Sequence, residues 1–517
     1  MFREIRDRYA PSPTGLQHIG GIRTALFNYL FARSRGGKFI LRLEDTDRTR
    51  SDPAFVQNLY DTFSWLGISW DEGPDAGGDY GPYVQSERFA IYRRYVRELV
   101  EADRAYYCFC SAERLDAVRA EREAAHSSET GYDRYCRNIP PEEAARRAAA
   151  GEPHTVRLKI PLEEHGSPAP ITRFRDRLLG DIEWKNSDIN PDPVLLKSDG
   201  FPTYHLANVV DDHLMGISHV LRAQEWIPST PIHVILYRGF GWEHPEYCHL
   251  PMVMGQDGKK LSKRHGATSI DEFRSQGYLP EALINYVALL GCSYDDGEVP
   301  EGTPDSREKT GIYSLGALAE RFSLDKLNKA PAIFDYKKLE WYNGQYIRMK
   351  GDGELAVLAL PYAVKSGLFG SPGMEPDSRQ QGIFSAAMPL IRERVTLLRE
   401  IPEKLDYLFA EPPVPAAEAF IPKKSDLSTA IRLLRLCRDI SGSLAALDDE
   451  GAETLIRGTA EKAGVKPGDL MMPLRVAITG ARISPPLFGS LRILGAGCSR
   501  LRVDRALASL ETATGSP

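Results

Sequence analysis

The sequence predicts an α/β fold in which a doubly wound parallel sheet is interrupted by an insertion and followed by a mostly helical region. Three observations indicate this arrangement. A strand, a helix and a second strand follow one another within residues 2–43, and a charged, alanine-rich stretch then breaks the pattern over residues 111–190. From about residue 270, apolar residues recur at helical spacing almost to Leu510.

Length and composition are those of a globular protein with several domains. A chain of 517 residues exceeds the size at which one hydrophobic core stops growing. Its 42% hydrophobic and 26% charged residues are ordinary for such proteins. The net charge of −6 means that a nucleic-acid partner must meet locally basic faces, because the molecule as a whole does not attract polyanions.

Export and membrane insertion are not expected from this sequence. The first 15 residues carry charges where a secretory signal has an apolar run, and no stretch approaches the roughly 20 apolar residues of a membrane span. Seven cysteines form an odd and sparse set, unlike the cysteines of disulfide-stapled secreted domains. We therefore expect a cytoplasmic protein with reduced thiols and no membrane partner.

The first strand, helix and second strand form one βαβ unit. Residues 2–9 read as a strand, and the loop Pro11–Gly15 contains residues that exclude regular structure. A helix starting near Gly20 carries one apolar stripe and stops at Gly36-Gly37 before a strand at residues 39–43. Since such units have right-handed crossovers, the loop after the first strand lies at the carboxyl edge of the sheet, where these sheets bind ligands.

Later segments predict further elements. A helix begins at about Ser86, and the insertion contains its own helices and strands. Sheet-like sequence resumes near residues 193–196. The helical region after residue 270 contains a proline-rich break at residues 411–420.

The segment His18-Ile19-Gly20-Gly21 stands at the predicted start of the first helix. A helix N-terminus presents free N–H groups and a positive dipole end to phosphate oxygens, and glycines allow the phosphate to come close. His18 can then donate a hydrogen bond to charge that develops in a transition state. Taken alone, a histidine beside glycines is more often a cap or turn residue.

A second segment concentrates positive charge next to glycines. Four cations, Lys259, Lys260, Lys263 and Arg264, fall within six positions after the stretch Gly255-Gln256-Asp257-Gly258. Such a loop is able to fold over a triphosphate and offset its charge. A solvated loop is the commoner interpretation of this segment taken alone.

Together, PSPTG-x-x-HIGG and KLSKR resemble the signature pair of class I aminoacyl-tRNA synthetases. The resemblance implies a Rossmann-type catalytic domain that binds ATP with accompanying Mg²⁺ and stabilises the pentacovalent α-phosphate. It implies His18, Lys260 and Lys263 as catalytic residues. The implied ATP-binding residues are His18, Gly20, Gly21, Lys260, Ser262, Lys263 and Arg264.

Three further segments, Arg8–Gly15, Arg42–Asp47 and Asp199–His213, resemble the glutamyl and glutaminyl branch of that class. The resemblance implies L-glutamate and tRNA(Glu) as substrates. The implied glutamate site comprises Arg8, Ser12, Glu44, Tyr204, Asn208 and Arg222. This set suits a ligand with one ammonium and two carboxylates, since Glu44 can pair the ammonium and arginines hold carboxylates in bidentate fashion. Trp226 lies in the matching segment and is given less weight because indole rings are mostly packing elements.

A cysteine cluster in the insertion gives a candidate metal site. Some family members bind zinc here through Cys-x-Cys followed by Cys-x-His, which corresponds to Cys108, Cys110 and Cys136, but Asn138 stands in place of the histidine. Tyr132 can supply a fourth donor, as a tyrosine does in a related shorter family. Zinc and three ordinary reduced thiols remain the two alternatives.

The resemblance also implies four domains, one of them in two segments, and a monomeric enzyme. Their predicted ranges are residues 1–110 and 191–268 for the two halves of the catalytic domain, 111–190 for an inserted acceptor-end-binding domain, 269–335 for a stem-contact domain and 336–517 for a helical anticodon-binding domain. A glutaminyl enzyme ends in β-barrels, a glutamyl-queuosine enzyme lacks the anticodon-reading half, and a non-catalytic paralogue loses active-site residues. The sequence favours none of these three, and it leaves open whether tRNA(Gln) is also charged.

Overall fold

The computed structural model describes residues 4–47, 50–126, 131–162, 170–294 and 311–514. The chain divides into two compact units. Unit 1 comprises residues 1–272 and 283–335, and unit 2 comprises residues 273–282 and 336–517.

The eleven strands of the described residues all belong to unit 1. Their bounds are β1 Arg6–Tyr9, β2 Lys38–Leu41, β3 Ala105–Cys108, β4 Thr155–Leu158, β5 Ile171–Asp176, β6 Gly180–Lys185, β7 Val194–Leu196, β8 His219–Ala223, β9 Glu246–Leu250, β10 Val253–Met254 and β11 Ala332–Ile333.

Helices occur in both units. Those that lie wholly in unit 1 are α1 Ile19–Ser34, α2 Pro53–Leu66, α3 Phe89–Glu101, α4 Ala112–Ala124, α5 Pro141–Ala149, α6 Tyr204–Leu214, α7 Thr230–Phe240 and α10 Leu315–Arg321. Residues of α8 Ile270–Gln276 and α9 Pro280–Ala288 fall in both units. Unit 2 contains α11 Tyr336–Met349, α12 Asp352–Ser366, α13 Ser378–Ile391, α14 Ile401–Phe409, α15 Leu427–Leu444, α16 Asp449–Lys462, α17 Pro467–Thr479 and α18 Leu487–Thr514.

Two βαβ units form the parallel part of unit 1. β1 pairs in parallel with β2 across α1, and β8 pairs in parallel with β9 across α7. The N–H of Ser218, just before β8, donates to the carbonyl of Arg6 in β1 at 2.9 Å, which places the two pairs side by side. The doubly wound parallel arrangement predicted from the sequence is confirmed.

Two strands of the predicted insertion, β4 and β5, pair with strands that lie outside residues 111–190. β4 pairs with β3 on one side and β7 on the other, both antiparallel, so its sheet includes strands outside residues 111–190. The hairpin of β5 and β6 instead joins the parallel part, because β5 pairs with β9 through Asp176 and Tyr247. The residues at which the predicted domains begin and end therefore stay a prediction.

Unit 2 is helical, as the spacing of its apolar residues predicts. Helices α15 to α18 surround one hydrophobic core of unit 2. The leucines that are fully buried in this core include Leu433, Leu434, Leu474 and Leu491. Among the described residues after Asp335, none lies in a strand. This excludes the alternative with C-terminal β-barrels.

Local differences from the predicted elements have visible causes. The second strand stops at Leu41 rather than residue 43, because Leu43 leaves β1 and pairs with Val84. α3 begins at Phe89 rather than Ser86, because residues 85–87 form a separate 3₁₀ turn. None of the described helices is both long enough and apolar enough to cross a membrane.

Asn343 in α11 joins the first segment of unit 2 to the second. Its amide donates to the carbonyls of Gly277 and Thr396 at 3.2 and 2.5 Å, and its oxygen accepts from the N–H of Leu279 at 2.7 Å. The side chain is fully buried. Three backbone groups therefore depend on one amide.

We expect Asn343→Ala to lower the free energy of unfolding by about 2 to 4 kcal/mol, because it leaves buried backbone groups without partners. Val357→Ala, at a position that is 72% exposed, is the control and changes it by less than about 0.5 kcal/mol. Urea denaturation monitored by circular dichroism measures both values. Equal stabilities of the two variants would contradict the assigned role.

Candidate active site

The residues predicted to bind ligands converge on the carboxyl ends of β1, β2, β8 and β9. The loop after β1 contains Ser12, and the segment after β2 contains Glu44. These two segments are adjacent, because the N–H of Glu44 donates to the carbonyl of Pro11 at 3.0 Å. This is the edge at which open α/β sheets bind ligands.

The start of α1 lies against the segment that follows the lysine loop, Lys259–Gly266. The N–H of Ile19 donates to the carbonyl of Thr268 at 2.9 Å, and the N–H of Ile270 donates to the carbonyl of Gln17 at 3.0 Å. His18 and Ser269 form the β-bridge between these two bonds. Two motifs more than 200 residues apart in the sequence are thus joined through the backbone.

His18 caps α1, and its ring is placed to donate a hydrogen bond. Its Nδ1 accepts the N–H of Gly21 at 3.2 Å, so a neutral ring has its proton on Nε2. Loss of hydration and the nearby charge of Lys260 lower the pKa of His18. An exposed, uncharged imidazole with a free Nε2–H can donate to a phosphate oxygen.

Gly20 and Gly21, at the start of the helix, have different surroundings. A Cβ on Gly21 would lie 2.8 Å from the hydroxyl of Tyr9, so a side chain there is sterically excluded. A Cβ on Gly20 would meet only the ring of His18, at 3.3 Å. Above Gly20 a ligand can therefore approach the N–H groups of the helix.

The lysine loop is exposed and is tied to the sheet edge by one ion pair. Lys260 Nζ lies 2.7 Å from Glu225 Oε2, just after β8. Lys263 and Arg264 are exposed in the 3₁₀ turn Lys263–His265, which Ser262 caps. Lys260 thus lies at the same sheet edge as His18, whose pKa its charge lowers.

Three of the residues predicted to bind glutamate, Arg8, Glu44 and Asn208, belong to a buried ionic network. This network is centred on Arg42. Arg42 donates to Asp212 at 2.7 Å and to Glu44 at 2.9 Å. Arg8 also donates to Asp212, at 3.0 and 3.3 Å, and Asn208 donates to Glu44 at 3.1 Å. Arg8 is therefore already neutralised by an aspartate.

Helical spacing explains why these groups meet. Tyr204, Asn208 and Asp212 occupy positions i, i+4 and i+8 of α6 and so share one face of the helix. Burial alone would raise the pKa of Asp212, but the charges of Arg8 and Arg42 hold it below its usual value. Burial raises the pKa of Glu44 despite the opposing charge of Arg42. A ligand ammonium beside Glu44 would favour its ionised form.

Arg222 differs from buried Arg8 and Arg42 because its hydrogen-bond partners are all uncharged. It donates from Nε to His249 at 3.1 Å, from Nη1 to the hydroxyl of Tyr204 at 3.0 Å and from Nη2 to Thr230 at 2.7 Å. Only 6% of the residue is exposed. In the described parts of the chain, no carboxylate forms an ion pair with it. Trp226 packs on Tyr204 with ring centroids 4.6 Å apart and so borders the same pocket.

Several residues of the site were not predicted from the sequence. Arg42, Asp212, His233, His249 and Asp176 all contribute to the buried networks. The crowding of aromatic and histidine residues near α6 was the only local signal. His249 lies in an apolar strand, and Asp176, its partner at 2.7 Å, is 73 residues away in the sequence.

The four predicted metal-site residues also come together. The sulfurs of Cys108, Cys110 and Cys136 all lie within 4.8 Å of one another, and Cys110 and Cys136 are 3.6 Å apart. The hydroxyl of Tyr132 lies 3.3 Å from Cys108 and 3.7 Å from Cys110. Tyr132 is buried in this cluster, whereas Asn138 is exposed.

Two arginines make the cluster electropositive. The guanidinium of Arg157 stacks on the ring of Tyr132 at 3.8 Å, and Arg114 Nη1 lies 3.5 Å from the sulfur of Cys110. Hydrogen bonds from Cys136 and Tyr132 lower the pKa of Cys108. Thiolates about 2.3 Å from a tetrahedral zinc stand roughly 3.8 Å apart, so the donor set fits that ion.

Comparison with known proteins agrees with this geometry. Residues 4–341 match the family described as tRNA synthetases class I (E and Q), catalytic domain, and residues 354–507 match an anticodon binding domain. The chain therefore belongs to the class I tRNA synthetases of the glutamyl and glutaminyl branch.

Two similar proteins and one solved structure are named as glutamate–tRNA ligases. A glutamate–tRNA ligase of Treponema denticola is 56% identical over 98% of this chain and 99% of its own, and one of Borreliella burgdorferi is 48% identical over 95% and 96%. A crystal structure of a glutamate tRNA ligase from Elizabethkingia meningosepticum in complex with its amino acid superposes with a TM-score of 0.84. It is 34% identical and covers 98% of this chain and 100% of its own.

We expect Arg42→Met to lower the free energy of unfolding by about 3 kcal/mol or more, because it leaves Asp212 and Glu44 buried with one counter-charge fewer. The matched control is Arg94→Met, which removes an exposed pair with Glu98 and costs less than about 0.5 kcal/mol. Urea unfolding of both proteins at neutral pH measures the difference. Losses of equal size would show that the buried network contributes no more than a surface pair.

Proposed function

We propose that this chain is a glutamate–tRNA ligase. The α-carboxylate of glutamate attacks the α-phosphorus of ATP, releasing pyrophosphate and forming glutamyl-adenylate. A terminal hydroxyl of the tRNA 3′ adenosine then attacks the glutamyl carbonyl and releases AMP. Both nucleophiles are substrate groups, so the protein acts by positioning and by electrostatic stabilisation.

The observation that carries the proposal is the uncharged surrounding of buried Arg222. A guanidinium removed from water costs on the order of several kcal/mol unless an anion faces it. Its protein partners, His249, Tyr204 and Thr230, supply hydrogen bonds and no charge. A carboxylate of the substrate is the missing counter-ion, and the glutamate side chain provides one.

The other residues predicted to bind glutamate contact its remaining groups or support those that do. Glu44 pairs the ammonium group, with Asn208 holding its carboxylate in place. Ser12, in the adjacent loop, contacts the amino-acid backbone. Arg8 contributes positive potential and holds Asp212, since its side chain is already ion-paired.

Selection against glutamine follows from charge. The amide of glutamine fits the same volume but leaves the charge of Arg222 without a counter-ion in a buried pocket. Discrimination built on an unpaired buried charge is strong, because the penalty is the desolvation cost of the whole group. The finer question of the tRNA partner, tRNA(Glu) alone or also tRNA(Gln), does not depend on this pocket.

ATP binds between the start of α1 and the lysine loop. Gly20 and Gly21 admit the phosphates to the helix N-terminus, and His18 donates from Nε2 to the α-phosphate. Lys260, Ser262, Lys263 and Arg264 close over the triphosphate, with Mg²⁺ accompanying it. Lys260 must then exchange Glu225 for phosphate oxygens.

We extend the proposal to zinc in the insertion. Cys108, Cys110, Cys136 and Tyr132 would hold it, and its chemistry there is structural, since four protein donors leave no open position. Burial raises the pKa of Tyr132, so its phenol would lose its proton only on binding the ion, beside the stacked guanidinium of Arg157. The site would fix the turn before residues 135–138 in the predicted acceptor-binding domain.

The predicted organisation into four domains, the monomeric state and the cytoplasmic location complete the proposal. Residues 111–190 would receive the acceptor end, residues 269–335 the stem and residues 336–517 the anticodon. All seven cysteines are free thiols, which supports a reducing compartment.

We expect the purified protein to catalyse ATP–pyrophosphate exchange that depends on glutamate, assayed with and without tRNA. Lys263→Ala should slow it by about a hundredfold or more, because it removes a charge from the transition state, while tRNA affinity stays nearly unchanged. Lys259→Ala, four residues away in the same loop, should retain most of the activity. Exchange supported by glutamine and not glutamate, or equal rates for the two variants, would refute the proposal.

We expect the protein purified without chelator to contain about one zinc ion per chain by elemental analysis. Cys136→Ser should lose the metal, and Tyr132→Phe should release it faster to a chelator because one donor is missing. Asn138→Ala and Cys437→Ser are the controls and should retain it. Protein that stays metal-free after incubation with zinc contains ordinary thiols.

A further inference from the structure

A pair of buried residues behind Arg222 determines how its guanidinium is oriented. His249 Nε2 accepts from Arg222 Nε at 3.1 Å, and His249 Nδ1 lies 2.7 Å from Asp176 Oδ2. The same carboxylate oxygen accepts the backbone N–H of His249 at 2.9 Å. His249 is fully buried and Asp176 is 1% exposed.

The position of the His249 proton follows from its two partners. A carboxylate can only accept and a guanidinium can only donate, so Nδ1 has the hydrogen and Nε2 presents its lone pair to Arg222. Burial lowers the pKa of His249 against the opposing effect of Asp176. Burial would raise the pKa of Asp176, but its hydrogen bonds to His249 and to backbone N–H groups lower it. The ring is therefore neutral and the carboxylate ionised.

We propose that Asp176 and His249 are positioning residues that orient Arg222 for the side-chain carboxylate of glutamate without neutralising its charge. The inference rests on the proposed function and deepens it, because it names the residues on which the preference for glutamate over glutamine depends. Asp176 holds one tautomer of the ring. The ring in turn holds the guanidinium.

The use of an imidazole here has a physical consequence for specificity. A carboxylate in contact with Arg222 would satisfy its charge, as Asp212 does for Arg8, and would remove the need for an anionic substrate. A neutral acceptor fixes the geometry and leaves the charge available. The ring of His249 separates the negative charge of Asp176 from Arg222, so its attraction for the guanidinium is weaker.

A second chain of neutral rings supports the same design. His233 Nδ1 lies 3.5 Å from Arg222 Nη1, and its Nε2 lies 3.2 Å from Nδ1 of His205. Burial and the charge of Arg222 lower the pKa of His205 to about 4, and the same two causes hold the pKa of His233 well below its usual value. Both rings are thus uncharged near neutral pH. They surround the guanidinium with hydrogen-bonding groups that do not compete for its charge.

The test compares two substitutions of His249 in the full chain by glutamate-dependent ATP–pyrophosphate exchange with tRNA present. His249→Phe removes the acceptor, so the KM for glutamate should rise about tenfold and the preference for glutamate over glutamine should fall by a similar factor. The KM for ATP should stay unchanged. His249→Gln, whose amide oxygen can accept from Arg222 Nε, should retain most of the preference.

Cys248→Ala is the matched control. Cys248 is buried next to His249 on β9, and its side chain points to the opposite face of the sheet. Its substitution perturbs the same strand without touching Arg222, so the KM for glutamate should not change. Equal values of that KM in His249→Phe and His249→Gln, or an unchanged preference in His249→Phe, would overturn the inference.

A spectroscopic measurement on the unmodified protein decides the case even if the phenylalanine variant fails to fold. In protein labelled with ¹⁵N-histidine, the His249 signals, identified by their absence in His249→Gln, should show a protonated Nδ1 and an unprotonated Nε2. A proton on Nε2, or a doubly protonated ring, would overturn the inference. Absence of any glutamate-dependent exchange by the unmodified protein would instead refute the proposed function itself.

Discussion

Ion pairs between buried guanidinium groups and carboxylates organise the centre of unit 1. Arg42 and Arg88 are almost completely removed from water, and the adjacent carboxylates Asp211 and Asp212 pair with both of them and with Arg8. Arg222 stands apart from this arrangement, because every partner it has among the described residues is neutral. The charges of Arg8, Arg42 and Arg88 are thus balanced within the protein, whereas no carboxylate among the described residues balances that of Arg222.

The fold places this charge where chemistry can use it. Arg222 lies at the carboxyl end of β8, and Glu225, three residues later, holds Lys260 of the lysine loop. Through the β-bridge of His18 and Ser269, the same loop is anchored to the start of α1. The groups that we propose to bind glutamate and ATP therefore share one sheet edge, which suits an attack of a carboxylate of one substrate on a phosphate of the other.

Sequence reasoning recovered what depends on local pattern or on motif. The βαβ unit, the helical second unit, the closeness of His18 to the lysine loop and the convergence of Cys108 with Tyr132 were all predicted. The support behind Arg222 was not, since His249 looks like a core residue of a strand and Asp176 reaches it only through strand pairing. Periodicity identifies which face of an element is buried, but it does not say which distant element covers that face. The same limit applies to β7, whose antiparallel partner β4 lies in the predicted insertion.

The central claim is that the unpaired charge of Arg222 is reserved for the side-chain carboxylate of glutamate. A crystal structure of this protein with glutamate bound tests it most directly. We expect the carboxylate to accept from the Nη groups of Arg222 while Nε stays on His249, and the ammonium to face Glu44. Glutamate bound with its side chain away from Arg222, and Arg222 still contacting only neutral protein groups, would contradict the account.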